Sequence, residues 1–217
     1  MALQIANRDY ANWQERMNPW PVEAAVPEVH LPRPGHADLV GTQKYNLSDV
    51  RNVLERASAR ETAARVAGGA VARTYLRALG VEIRSHVVQI GTVVAPPRSS
   101  PLTVADFDGV DEDPVRCLDR DAGRAMVGHI NVQRKANESL GGVFEVIAFG
   151  LVPGLGSHIS WEERLDGRLA AALCSIQAIK GVGLGEGFDL AAKPGSEAHD
   201  EISVSYTHLT LPTTERV

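Results

Sequence analysis

The stretch from Ala59 to Ala78 constrains this chain more than any other, because it suits only one regular structure. It is rich in alanine and free of proline, and Ser58 with Glu61 three residues on fits the S-x-x-E pattern of a capping box. Gly80 follows as a stop. The pattern predicts a helix over 59–78. Gly68 and Gly69 inside it each cost roughly 1 kcal/mol against alanine, which predicts another element packed closely on that face and hence a buried helix. The approach to this helix is crowded with fixed positive charge. A helix N-terminus already carries roughly half a positive charge, so cations there are disfavoured unless something anionic is bound. Arg56, Arg60 and the backbone amides of the first turn can therefore converge on a phosphate or a carboxylate. An Arg-rich, solvated helix face paired with Glu55 and Glu61 explains the same spacing.

Upstream lies Arg33-Pro34-Gly35-His36-Ala37-Asp38, a rigid turn that adds a guanidinium and an imidazole. Lys44-Tyr45 comes next, and then an unbroken run from Glu55 to Gly69. Together these segments resemble chorismate synthase, in which R-P-G-H-A-D leads to K-Y and then to E-R-A-S-A-R-E-T-A-x-R-V-A-x-G. The resemblance continues through Leu140-Gly141-Gly142-Val143, Gly154-Leu155-Gly156, Leu165-Asp166, the run from Ile176 to Gly181 and the run from Gly195 to Glu201. It covers residues 1–202. The family's G-x-S-H-G segment, with the first of two catalytic histidines, does not precede Met1. Its K-P-[TI]-S-[ST] flavin loop and distal Arg and Asp do not follow either. From Ser203 to Val217 the sequence matches nothing in the family. The resemblance thus implies a partial chorismate synthase domain over 1–202 and an unrelated tail over 203–217, disordered or artefactual.

The chain has 217 residues, with 44% hydrophobic and 23% charged, the ordinary globular balance. A formal charge of −5 argues against a general nucleic-acid binder and makes the arginines near residue 56 a local feature, suited to a small anionic ligand. Cys117 and Cys174 are far apart and form no C-x-x-C, so neither a disulfide framework nor a zinc site is indicated. A reducing cytoplasm fits. No apolar run is long enough to span a bilayer.

Periodicity and breakers outline the rest. Residues 1–6 read as a strand remnant, 8–32 as an irregular loop, and 33–49 as turn and loop. A strand is expected over 81–94, a surface loop over 96–113, a helix over 121–136, a core strand over 141–151 and a helix over 165–178. The glycine run from Gly181 to Gly187 lacks G-x-G-x-x-G spacing and follows a helix, so it reads as a flexible turn. His30, His86, His129, His158 and His199 show no metal-ligand spacing and read as surface or structural residues. For fold class the resemblance implies α+β, with helices sandwiched between antiparallel sheets, incomplete in this chain.

It also implies roles for individual residues. Arg33 and Arg60 match arginines that hold an anionic substrate, and His36 matches the second catalytic histidine, placed near a leaving phosphate. Arg56, Ala57 and Ser58 match one contact segment for flavin mononucleotide (FMN), and Gln177 with Ala178, at the end of a helix, a second. The implied reaction converts 5-enolpyruvylshikimate 3-phosphate to chorismate and phosphate by anti-1,4-elimination. It requires reduced FMN, with NADPH a candidate reductant, in a cytoplasmic homotetramer that binds neither nucleic acid nor membrane. The alternatives are a non-catalytic, truncated anion-binding or flavin-phosphate-binding fragment of that enzyme, and an ordinary flavin oxidoreductase, for which the chain lacks a nicotinamide fingerprint.

Overall fold

The computed structural model describes residues 2–18, 20, 26–98, 100–199, 203–205 and 208–210; for Ala59, Arg60 and the last two stretches it describes the backbone. The chain divides into two units, Met1–Ala72 and Arg73–Val217.

In the first unit, residues 2–7 form no regular structure, contrary to the strand expected there. A strand needs a neighbour for its backbone hydrogen bonds, and among the described residues none pairs with this one. Residues 33–49 also depart from expectation, because Asp38–Tyr45 is a helix, α1. Its stop signal was an asparagine: Asn46 adopts left-handed backbone at φ 50°, and the amides of Asn46 and Leu47 return to the carbonyls of Gln43 and Thr42. A second short helix, α2, covers Arg51–Arg56. It starts from Asp49, whose carboxylate accepts the Arg51 amide at 2.9 Å and its Nε at 2.8 Å, and whose pKa falls to about 2 because of the Arg51 hydrogen bonds. Val50 is buried, and its amide donates to the Val29 carbonyl at 2.8 Å. The two helices meet at Gly41, where a Cβ would lie 2.6 Å from a methyl of Val53. Only glycine permits that approach.

Ala59–Ala78 is a 20-residue helix, α3, with the bounds the sequence predicts. It ends as expected at Gly80, with Gly80 N–H to the Arg77 carbonyl and Val81 N–H to the Leu76 carbonyl. The expectation of burial fails. Val66, Tyr75 and Leu79 are exposed, and a Cβ on Gly68 or Gly69 would meet nothing within 4 Å. Alanine content decides that this segment is helical, whereas burial needs an opposing element, and among the described residues none packs at these positions.

In the second unit, Glu82–Ile90 (β1) turns at Gly91 into Val93–Val94 (β2), so the single strand expected over 81–94 is a hairpin. The next helix, Arg120–Lys135 (α4), is capped by the Asp119 side chain, which accepts the Ala122 amide at 2.8 Å. Gly142–Phe149 (β3) pairs antiparallel with β1 from Glu82↔Phe149 to Ile90↔Gly142, with a bulge between Val87 and Gln89. The sheet order is β2-β1-β3. Two apolar clusters use it. In one, α4 contributes Ala122 and Met126, which pack with Cys117 against Val87, Ile90 and Val93. Burial pushes the Cys117 thiol up, and both cysteines are free. The other brings Phe107 and Val110 onto Ile147, with Phe149 edge-on to Phe107 at 6.0 Å. Residues 96–113 are therefore more than a surface loop. The single-turn 3-10 segments Val104–Phe107 and Val110–Glu112 carry core side chains, the first fixed by a reciprocal Thr103–Asp106 capping box.

Leu165–Cys174 (α5) stops four residues before the expected end. Gly195–Ala198 (α6) follows a 3-10 segment at Gly187–Ala192. Within the stretch read as an unrelated tail, Ser203–Ser205 (β4) pairs antiparallel with His208–Thr210 (β5); residues 206–207 and 211–217 lie outside the described residues. The class is α+β, with helices beside small antiparallel sheets.

Candidate functional site

The site of interest begins as a turn. Pro34 fixes its own φ, Gly35 takes φ 71°, and the His36 amide returns to the Arg33 carbonyl at 3.4 Å, the pattern of a type II turn that needs glycine at its third position. The turn feeds directly into α1, whose first residue is Asp38. That carboxylate is wholly buried and accepts three N–H groups from one residue: the Arg33 backbone amide at 2.8 Å, its Nε at 2.9 Å and its Nη2 at 3.2 Å. The Arg33 hydrogen bonds hold the Asp38 carboxyl below the usual carboxylate range, against the opposing effect of burial. The same contact raises the guanidinium's pKa, and the Glu55 carboxylate adds to the field.

Arg33 itself is partly exposed, and a guanidinium has five N–H donors. Two go to Asp38. The remaining three include the end-on pair from Nη1 and Nη2, the fork that fits a carboxylate or phosphate. His36 is exposed beside it, with Nδ1 2.9 Å from the Pro34 carbonyl. A carbonyl only accepts, so Nδ1 carries the proton in this contact. Asp38, the buried partner of Arg33, was not singled out by the sequence pattern. Its signal was an acid five residues after an arginine, just inside a helix start.

Arg56, Ala57 and Ser58 form the joint between α2 and α3, with the Ala57 amide bonded to the Val53 carbonyl at 2.8 Å. This alters the charge argument drawn from sequence. Arg56 sits in the last turn of α2, where the helix dipole favours a cation, so it needs no anion to explain it. Glu61 engages Arg65 one turn on, with Nε at 2.9 Å from Oε2, the paired solvated face that the alternative reading expected. Arg60 lies on the first turn of α3, and its side chain lies outside the described residues.

Gln177 and Ala178 belong to the second unit, just past α5 rather than on its end. Ala178 takes φ 71°, a left-handed conformation uncommon for a residue with a Cβ. The same unit holds a cavity of about 920 Å³ walled by the Gly154–His158 loop, the start of α5 and His199. Arg164 and Asp166 pair across its wall, at 3.1 Å from Nε to Oδ1. None of the residues predicted for the site lines this cavity. Among the described residues no three His, Cys, Asp or Glu side chains gather as metal ligands, and no helix is long and apolar enough to cross a membrane. The one buried histidine among the described residues, His86, is structural: its Nε2 lies 3.0 Å from Glu145 on the paired strand.

A family model described as chorismate synthase matches residues 1–216. The chain belongs to the chorismate synthase family. The chorismate synthase of Acidothermus cellulolyticus is 57% identical over 210 residues, which cover 93% of this chain and 53% of that protein. That of Thermobifida fusca is 55% identical over 212 residues, covering 94% of this chain and 54% of the relative. A crystal structure of chorismate synthase superposes with a TM-score of 0.74 at 46% identity, over 79% of this chain and 53% of that one. The chain spans about half the length of the curated chorismate synthases it matches.

Proposed function

We propose that the whole protein is a chorismate synthase that eliminates phosphate from 5-enolpyruvylshikimate 3-phosphate to give chorismate, and that the turn from Arg33 to Asp38 handles the anionic end of the substrate. The observation that carries this reading is that Arg33 and His36 sit on one turn, the guanidinium held side-on by Asp38 and still partly exposed, the imidazole exposed and bonded through Nδ1. Arg33 binds and orients an anionic group of the substrate, and Arg60 adds a second cation. His36, as the imidazolium, donates its Nε2 proton to the phosphate oxygen as the carbon–oxygen bond breaks with its electron pair leaving on phosphate; the C–H bond of the ring breaks as its electron pair enters the new double-bond system, and that proton passes to water.

The reading includes flavin mononucleotide. The donor types at the α2–α3 joint, the Arg56 guanidinium and the Ser58 hydroxyl, suit its phosphate, and the left-handed backbone at Ala178 suits a contact made by main chain near Gln177. When bound and reduced, flavin supplies transient electron density that eases the departure of phosphate without net redox change. NADPH as reductant, a homotetramer and a cytoplasmic location complete the proposal. The 217-residue chain alone, about half the length of its relatives, is proposed to be catalytically silent while retaining affinity for phosphate-bearing ligands.

The test is anaerobic assay of the full-length protein with 5-enolpyruvylshikimate 3-phosphate. Phosphate release is expected with reduced FMN and absent with oxidised FMN. Equal release with both would overturn the assignment of the cofactor, and release with neither would overturn the assignment of the reaction.

A further inference from the structure

We propose that Asp38 is a positioning residue for anion binding, acting through Arg33 and never touching the ligand. The inference rests on the reading of the 33–38 turn as an anion site and extends it to a residue without an assigned role.

Three observations carry it. First, the carboxylate is wholly buried although it sits in a short surface helix, and a buried carboxylate is retained only when fully paired. Second, all three of its recorded contacts come from Arg33, including the backbone amide, so it fixes the residue's main chain and the guanidinium plane together. Third, it takes the Nε edge of the guanidinium, which leaves the end-on Nη1–Nη2 edge uncommitted to Asp38 on a side chain that is partly exposed, with the Glu55 carboxylate adding to the field at the guanidinium. An arginine without this clamp loses rotamer freedom when it binds; one already clamped loses little.

Charge and geometry make opposite predictions here, which gives the test its power. By Coulomb's law alone, Asp38 opposes an incoming anion, so the neutral variant Asp38→Asn should bind phosphate more tightly. If Asp38 positions the fork, the same variant should bind it less tightly. The experiment is a titration of the 217-residue chain with inorganic phosphate, read by NMR at the Arg33 Nε–H and the His36 amide. In the wild-type chain both signals are expected to shift, and Asp38→Asn is expected to weaken the apparent Kd about tenfold, the weight of one charge-assisted hydrogen bond. An unchanged or tighter Kd in Asp38→Asn overturns the positioning role while leaving the anion site intact. No phosphate-dependent shift at Arg33 or His36 in the wild type overturns the anion site and this inference with it. Should Asp38→Asn fail to fold, the wild type still decides: the Arg33 Nε–H stays protected from solvent exchange at saturating phosphate if Asp38 holds it throughout, and faster exchange on binding shows that ligand and Asp38 compete, which overturns the proposal.

Discussion

Two arginine–aspartate pairs in this chain use the same chemistry and have different consequences. Arg164 and Asp166 pair through Nε and Nη2 beside the large cavity, and Arg33 and Asp38 pair through the same two nitrogens at the turn. In the first pair the side chains are 60% and 45% exposed, so water and salt share the interaction. In the second the arginine is 44% exposed but the aspartate is at 0%, and the arginine's own amide joins the contact. Burial on one side only makes the difference: the aspartate is shut off from water, while the guanidinium stays partly exposed. The largest expected effect follows from the turn. In the full-length enzyme, His36→Ala should lower kcat by about 10²–10⁴-fold, the usual worth of a positioned proton donor, with little change in KM; steady-state kinetics checks this. A rise in KM with kcat intact would remove the proton-transfer role.

How far this contrast could be read in the sequence depended on the kind of signal. Helix α3 was legible to the residue because alanine content, a cap and a glycine stop agree, and α4 and β3 lay within two residues of expectation at each end. Helix α1 was hidden by Gly41 and by a cap that used left-handed Asn46 in place of glycine. Phe107 and Val110 were hidden because single-turn 3-10 segments have no apolar period to detect. Arg33 and His36 were legible as a motif, but Asp38 was not, because a buried acid and an exposed one look alike until the chain folds.

Thermal unfolding sharpens the comparison next. Asp38→Asn should lower Tm clearly, since it removes the buried carboxylate that pairs with Arg33, whereas Asp166→Asn, at an exposed pair, should leave Tm within error. Equal losses would mean that burial does not separate the two pairs.

A smaller effect is expected from pH. Asp38 and Asp49 both have folded pKa values below their unfolded ones, with Asp49 at about 2 against an ordinary 3.8. Their stabilising contribution is present in full above the unfolded value and is lost as pH falls through the folded value. Stability of the first unit should therefore decline between about pH 4 and pH 2 for Asp49, and Asp49→Asn should flatten the decline. The exposed Asp166 carboxyl is also held low, by its hydrogen bond to Arg164, but that contribution should vanish in about 1 M salt, where the screening length is roughly 3 Å. Denaturant titrations across this pH range, with and without salt, check both.

The central claim is that the substrate's anionic end meets the 33–38 turn and not the cavity beside α5. The most direct test compares Arg33→Ala with Arg164→Ala in the full-length enzyme, by KM for 5-enolpyruvylshikimate 3-phosphate. A KM raised roughly tenfold or more in Arg33→Ala, with Arg164→Ala near wild type, is the result this account predicts. A KM raised in Arg164→Ala and unchanged in Arg33→Ala would contradict it.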